Sequence, residues 1–143
     1  MSDFTIFDYL KAMNDNREMF KKRSRTFKDE IINHLNDTPR ICDFVKAQDG
    51  DSLKLSFAGI HLPLNSRERI VFDGKEPLLE FDFFTINDSA NVSVLKVFFD
   101  THGQVILGSH SNSLKYDFIN EPICSKFFHE LFKSAYDKGI ISV

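Results

Sequence analysis

The chain has 143 residues, which suits one domain and leaves no room for two comfortable ones, since domains cluster near roughly 100–150 residues. Hydrophobic residues make up 42% and charged residues 27%, which excludes a wholly disordered chain, a collagen-like chain and a disulfide-dense miniprotein. The formal charge of -3, from 18 basic and 21 acidic residues, gives no general attraction to nucleic acid or to an anionic membrane, so any such contact has to be local.

Residues 1–143 are therefore expected to form a single α+β domain. The opening residues carry acid where a signal peptide carries positive charge. No apolar stretch approaches the ~18 residues that suggest a membrane span, so a cytoplasmic protein without membrane contact is expected. Cys42 and Cys124 are far apart and lack a Cys-x-x-Cys partner, so both are read as reduced and buried. The composition has one oddity, 16 Phe with no Trp, and rings that each remove roughly 150–250 Å² from water predict a Phe-rich core.

Ile6, Leu10 and Met13 predict a short first helix, with Ser2 or Asp3 as its cap. Asn14-Asp15-Asn16 are poor interior helix residues, and Asp15 with Glu18 resembles a capping box, so a break and a new start are placed there. A second helix is predicted from about Asn16 to Asn36, with Phe20, Phe27, Ile31 and Leu35 on one stripe and Pro39 after its end.

From Arg40 onward the period changes to two. Leu53, Leu55 and Phe57 alternate with polar neighbours, as do Leu79, Phe81 and Phe83. Asp49-Gly50, Asp73-Gly74 and His102-Gly103 read as turns between strands at 40–47, 52–60, 68–72, 78–86, 92–99 and 104–108, with a weaker strand at 114–118. Short connections make neighbours antiparallel, giving a meander sheet of about five to seven strands. Pro122 opens a last helix and Gly139 closes it. The N-terminal helices and this C-terminal helix are expected to pack on one face of the sheet.

The most distinctive local feature is cationic. Arg17, Lys21, Lys22, Arg23, Arg25 and Lys28 against Glu18 alone give residues 17–28 a net charge of +5, leaving -8 for the rest of a chain that totals -3. At about 100° per residue, Arg17, Lys21, Arg25 and Lys28 share a band beside the apolar stripe, so the helix is expected to lie on the sheet and show cations outward. Like charges four residues apart weaken an isolated helix, so the cluster asks for a reason. A solvated face balanced by acids elsewhere is the plain one. An acidic protein partner is the functional one, with Arg17, Lys21, Lys22, Arg25 and Lys28 as its contacts. Nucleic-acid phosphate ranks below it, because aromatic residues are not interleaved with the cations for base stacking.

Other constellations are weaker. Among the acids Asp73, Glu76, Glu80, Asp82, Asp88 and Asp100, Glu80 and Asp82 alternate with Leu79, Phe81 and Phe83, and their face is expected to be wet or bound to something. His34, His61, His102, His110 and His129 lack zinc spacing, and the glycines form no phosphate loop, so no metal and no cofactor are expected. A dispersed catalytic site would have to draw on the loops near 61–67, 101–103 and 109–113. The sequence thus predicts a non-enzymatic binding module, as an inhibitor, immunity-type protein, adaptor or chaperone would be, with self-pairing through a strand edge also open to it.

Overall fold

In a computed structural model, Thr5 caps a single helix, α1, that runs from Ile6 to Asp37. The structure describes residues 5–38, 45–50, 52–57, 62–87, 90–108, 114–117 and 123–139. The Thr5 hydroxyl accepts the Asp8 N–H at 3.3 Å, and the Asp8 carboxylate accepts the Thr5 N–H at 2.8 Å, a reciprocal cap with an acid in the first turn. Ser2 and Asp3, the expected caps, lie outside the described residues.

The expected break at Asn14-Asp15-Asn16 is absent, and the two predicted N-terminal helices are one. Asn16 Nδ2 donates to the Ala12 carbonyl at 2.8 Å, so its amide bonds along the helix instead of ending it. Each such residue costs only about 0.5–0.7 kcal/mol against alanine, too little to break a helix capped at one end and buried at Phe20, Phe27, Ile31 and Leu35. The Tyr9 ring meets Phe72 edge-on at 4.7 Å and ties the early turns to the sheet.

The Thr5 hydrogen bonds also hold the Asp8 carboxyl below its ordinary value of 3.8. A carboxylate depressed by folding contributes stability that is present above the unfolded value and lost as pH falls through the lower folded one. Amide protection over Ile6–Leu10, relative to intrinsic exchange at the same pH, is therefore expected to fall below the ordinary carboxylate range, and Thr5→Ala should give the same fraying at neutral pH. The rest of α1 should be unaffected.

Seven strands follow, β1 (Val45–Asp49), β2 (Leu53–Phe57), β3 (Leu62–Asp73), β4 (Glu76–Asn87), β5 (Ala90–Phe99), β6 (Gln104–Leu107) and β7 (Leu114–Asp117). They form one antiparallel sheet in sequence order, and α2 (Ile123–Asp137) closes the chain. The α+β meander is thus as expected, with one boundary correction. β1 is described from Val45 to Asp49; residues 39–44, including Cys42 and the start of the strand expected at 40–47, lie outside the described residues. β3 starts at Leu62, so 62–67 belongs to a strand and is no loop. Pro63 and Asn65 hide that strand from a pattern reading, but Leu64 pairs with Leu55, and the Ser66 hydroxyl donates to the Leu53 carbonyl at 2.7 Å. Gly74, at φ 60, makes the tight turn from β3 to β4.

Both helices cover the same face. Phe27, fully buried, lies 5.1 Å from Phe81, 6.5 Å from Phe83, 5.1 Å from Phe99 and 5.5 Å from Phe127, so α1, β4, β5 and α2 share one ring cluster. A bulge in β5 then fixes α2. Phe83 pairs with Leu95 and Phe84 with Ser93, which leaves Val94 without a ladder partner. Its carbonyl accepts from the Ser134 hydroxyl and from Lys138 Nζ, which also reaches the Ser93 carbonyl at 2.9 Å.

The other face of β4 is a second correction. Glu80 and Asp82 do sit opposite Leu79, Phe81 and Phe83, but they are 3% and 1% exposed. In the β3–β4 register Arg69 faces Glu80 and Arg67 faces Asp82, and the arginines lie across the acids. Arg69 Nε is 2.8 Å from Glu80 Oε1, and an Arg67 terminal nitrogen is 2.7 Å from Asp82 Oδ2. The Ser93 hydroxyl donates to Asp82 Oδ1 at 2.6 Å, and the Arg67 guanidinium stands 5.1 Å over the Phe84 ring. Leu78, Phe98 and Ile106, with Val71 against them, form a small apolar cluster on that face. A central strand is flanked on both sides by long side chains, so its outward acids are covered by neighbours and not by water.

Candidate functional site

The cationic segment of α1 passes over β3 and β4 and leaves a cleft of about 360 Å³ between helix and sheet. Arg17, Phe20, Lys21, Ser24, Arg25 and Lys28 form the helix side; Glu68, Arg69, Ile70 and Leu79 form the sheet side. Phe20, Ile70 and Leu79 give it an apolar floor under a cationic rim. The helix repeat brings Arg17, Lys21, Ser24 and Lys28 to this side because each follows the last by three or four residues.

The predicted contacts divide. Arg17, Lys21 and Arg25 are exposed on the rim. Lys22 is exposed but does not line the cleft, since it stands about 140° around the helix from Arg17. Lys28 does not point outward as expected. It is 8% exposed, and its ammonium lies 3.0 Å from Glu68 Oε2, while the Ser24 hydroxyl donates to Glu68 Oε1. Glu68 thereby pins α1 to β3 and takes one cation out of the rim. Arg23 turns the other way, with a guanidinium nitrogen 3.4 Å from where a side chain on Gly103 would begin.

The rim ion pairs of Lys21 and Arg25 with Glu18 and Asp29 are exposed to solvent. Arg17 has no ion pair among the described residues. Lys21 reaches Glu18 only at 3.9 Å, with both side chains more than half exposed. Arg25 holds Asp29 at 2.9 Å, again with both half in water. Exposed pairs of this kind contribute about 0.2–1 kcal/mol, so an incoming carboxylate can replace them at little cost. The Arg69 guanidinium, by contrast, is committed to Glu80.

The remaining polar groups serve structure. Asp100 is buried and accepts the His102 and Gln104 N–H groups at 2.8 and 2.9 Å, which shapes the β5–β6 turn. His102 is exposed on that turn, 3.9 Å from Glu76. His129 is exposed on α2, whereas His34 stacks on Phe128 at 5.8 Å with its Nε2 unpartnered among the described residues. His61, His110, Asp88 and residues 109–113, where a loop is expected, lie outside the described residues. Among the described residues no group of three or more His, Cys, Asp or Glu side chains is placed to hold a metal, and no helix is long and apolar enough to cross a membrane.

Cys124 is buried and free, as expected. Burial, then the charge of Glu30, pushes its thiol up to about 12, so the nucleophilic thiolate is scarce at neutral pH. Alkylation at pH 8, followed residue by residue by mass spectrometry, should leave Cys124 unmodified until denaturant is added; rapid labelling of the folded protein would contradict its packing role.

A second hollow of about 540 Å³ lies along β5 beside Ser134 and Lys138, but both side chains are already bound to the bulge carbonyls. The α1–β3 cleft is the better candidate because Arg17, Lys21 and Arg25 stand exposed on its rim. Its floor and Glu68 were not found from sequence; the one available signal was the hairpin register that sets Ile70 beside Leu79. Compared with known protein families, with curated proteins and with solved structures, the chain matches none.

Proposed function

We propose that the protein is a non-enzymatic binding module that captures an acidic segment of a protein partner in the α1–β3 cleft. The observation that carries this reading is the cleft itself: Arg17, Lys21 and Arg25 stand around an apolar floor of Phe20, Ile70 and Leu79, with the Lys28–Glu68 pair bridging helix and sheet beside it. An inhibitor, immunity protein, adaptor or chaperone would act in this way, by complementarity and without chemistry. The free, buried thiol of Cys124 suits a reducing cytoplasm. β1 and β7 are the outer strands of the sheet, and either edge is a candidate for self-pairing.

Nucleic acid fits the cleft less well, since the Phe20 ring in its floor is 2% exposed and offers no face for stacking a base. The test is charge reversal. Lys21→Glu with Arg25→Glu should change stability by only about 1 kcal/mol per exposed site, the size of the pairs lost with Glu18 and Asp29, while abolishing binding of a Glu-rich peptide at low ionic strength. Unchanged peptide binding by that variant would discard the site. Capture of nucleic acid in preference to the peptide, lost with a steep salt dependence, would replace the protein partner with phosphate.

A further inference from the structure

The unbroken course of α1 places a second feature in line with the cationic rim. Ile6, Phe7 and Leu10 are 73%, 80% and 57% exposed, three large apolar side chains within the first turns of one helix. At about 100° per residue, Ile6 and Leu10 fall within about 20° of Arg17, and Phe7 coincides with Arg25. The sector from Ile6 to Arg25 contains no acid: Asp8, Asp15 and Glu18 lie about 100° or more away from Arg17 around the helix. With a break at Asn14 the apolar and cationic ends would have no fixed relation; on one straight helix Leu10 and Arg17 are held about 10 Å apart along the axis. A contiguous apolar patch on the outside of a protein marks an interaction surface, and this one lies on the same side of the helix as the cleft rim, about two turns before it.

We infer that the partner segment is bipartite: an amphipathic stretch whose carboxylates occupy the Arg17–Lys21–Arg25 rim and whose apolar side chains, roughly 10 Å further along, cover Ile6, Phe7 and Leu10. The inference rests on the reading of the cleft as a carboxylate site and adds the partner's second half and its spacing. Charge complementarity selects an acidic segment, and continuity along one face of one helix selects a single segment over two separate ones.

Two synthetic peptides test it by fluorescence anisotropy: a Glu-rich block alone, and the same block joined to a Leu/Phe block at that spacing. The joined peptide should bind the wild-type protein at least tenfold more tightly. Phe7→Ser with Leu10→Ser should reduce it to the affinity of the Glu-rich block and leave the latter's own binding unchanged. Equal binding of both peptides, or indifference of the joined peptide to the serine variant, overturns the bipartite partner while the acidic-cleft reading stands. Failure of both peptides overturns both. A wild-type dimer in sedimentation that the serine variant converts to monomer would assign the apolar end to a second copy of this chain, and also overturns the inference.

Discussion

Replacing Phe27 by alanine is expected to cost about 3–5 kcal/mol, a large share of the roughly 5–15 kcal/mol by which a domain of this size is stable. Phe27 has no exposed surface, and its ring meets four others, three of them in the sheet and one on α2. These contacts are edge-on, which adds to the area term, and the cavity left behind is walled by three different elements that cannot all move inward. Urea unfolding should show a lowered midpoint at unchanged slope. Phe7→Ala is the control: the residue type and helix are the same, but the ring is 80% exposed, and the change should stay within about 0.5 kcal/mol. Equal losses at the two positions would contradict the placement of α1 on the sheet.

Arg67→Met is expected to cost about 2–4 kcal/mol. The change leaves Asp82 almost completely buried with the Ser93 hydroxyl as its remaining described partner. A fully enclosed pair loses about 3–5 kcal/mol when one member is removed, and the half-exposed position of Arg67 reduces that figure. The penalty arises from the stranded carboxylate, not from the lost pair, so adding Asp82→Leu should return most of the stability. A double-mutant cycle by urea unfolding measures this directly. If the double variant were as unstable as the sum of the single ones, Arg67 and Asp82 would be acting independently.

Much of the fold was legible because it rests on period and turn chemistry. The alternation of Leu53, Leu55 and Phe57, the Gly74 turn and the stripe from Phe20 to Leu35 each report a local preference that the tertiary structure keeps. The misreadings share a cause, a non-local partner. Asn14–Asn16 looks like a break until a cap at Thr5 and the Tyr9–Phe72 contact hold the helix upstream. Glu80 and Asp82 look wet until the arginines across the hairpin cover them. Counting outward from Gly74-Lys75 pairs Arg69 with Glu80 and Arg67 with Asp82, so that cover was within reach of the sequence. Lys28 is different: its burial depends on Glu68 arriving beneath α1, and no local spacing encodes how a helix is laid across a sheet.

The cationic band was visible as charge, but its division was not. The helix repeat groups Arg17, Lys21, Arg25 and Lys28, whereas docking against β3 decides that Lys28 is buried on Glu68 and the other three stay exposed on the rim. Ile70 and Leu79 of the apolar floor come from strands more than forty residues further along the chain, so a reading of α1 alone finds a charged surface and not a cleft.

The most direct measurement is amide chemical-shift mapping of the labelled protein titrated with the Glu-rich peptide. Saturable shifts should concentrate at Arg17–Arg25 and at Glu68–Ile70 and vanish in the Lys21→Glu, Arg25→Glu variant. Shifts confined to the β1 or β7 edge, or no saturable shifts at low ionic strength, would contradict the assignment of the α1–β3 cleft as the place where this protein meets its partner.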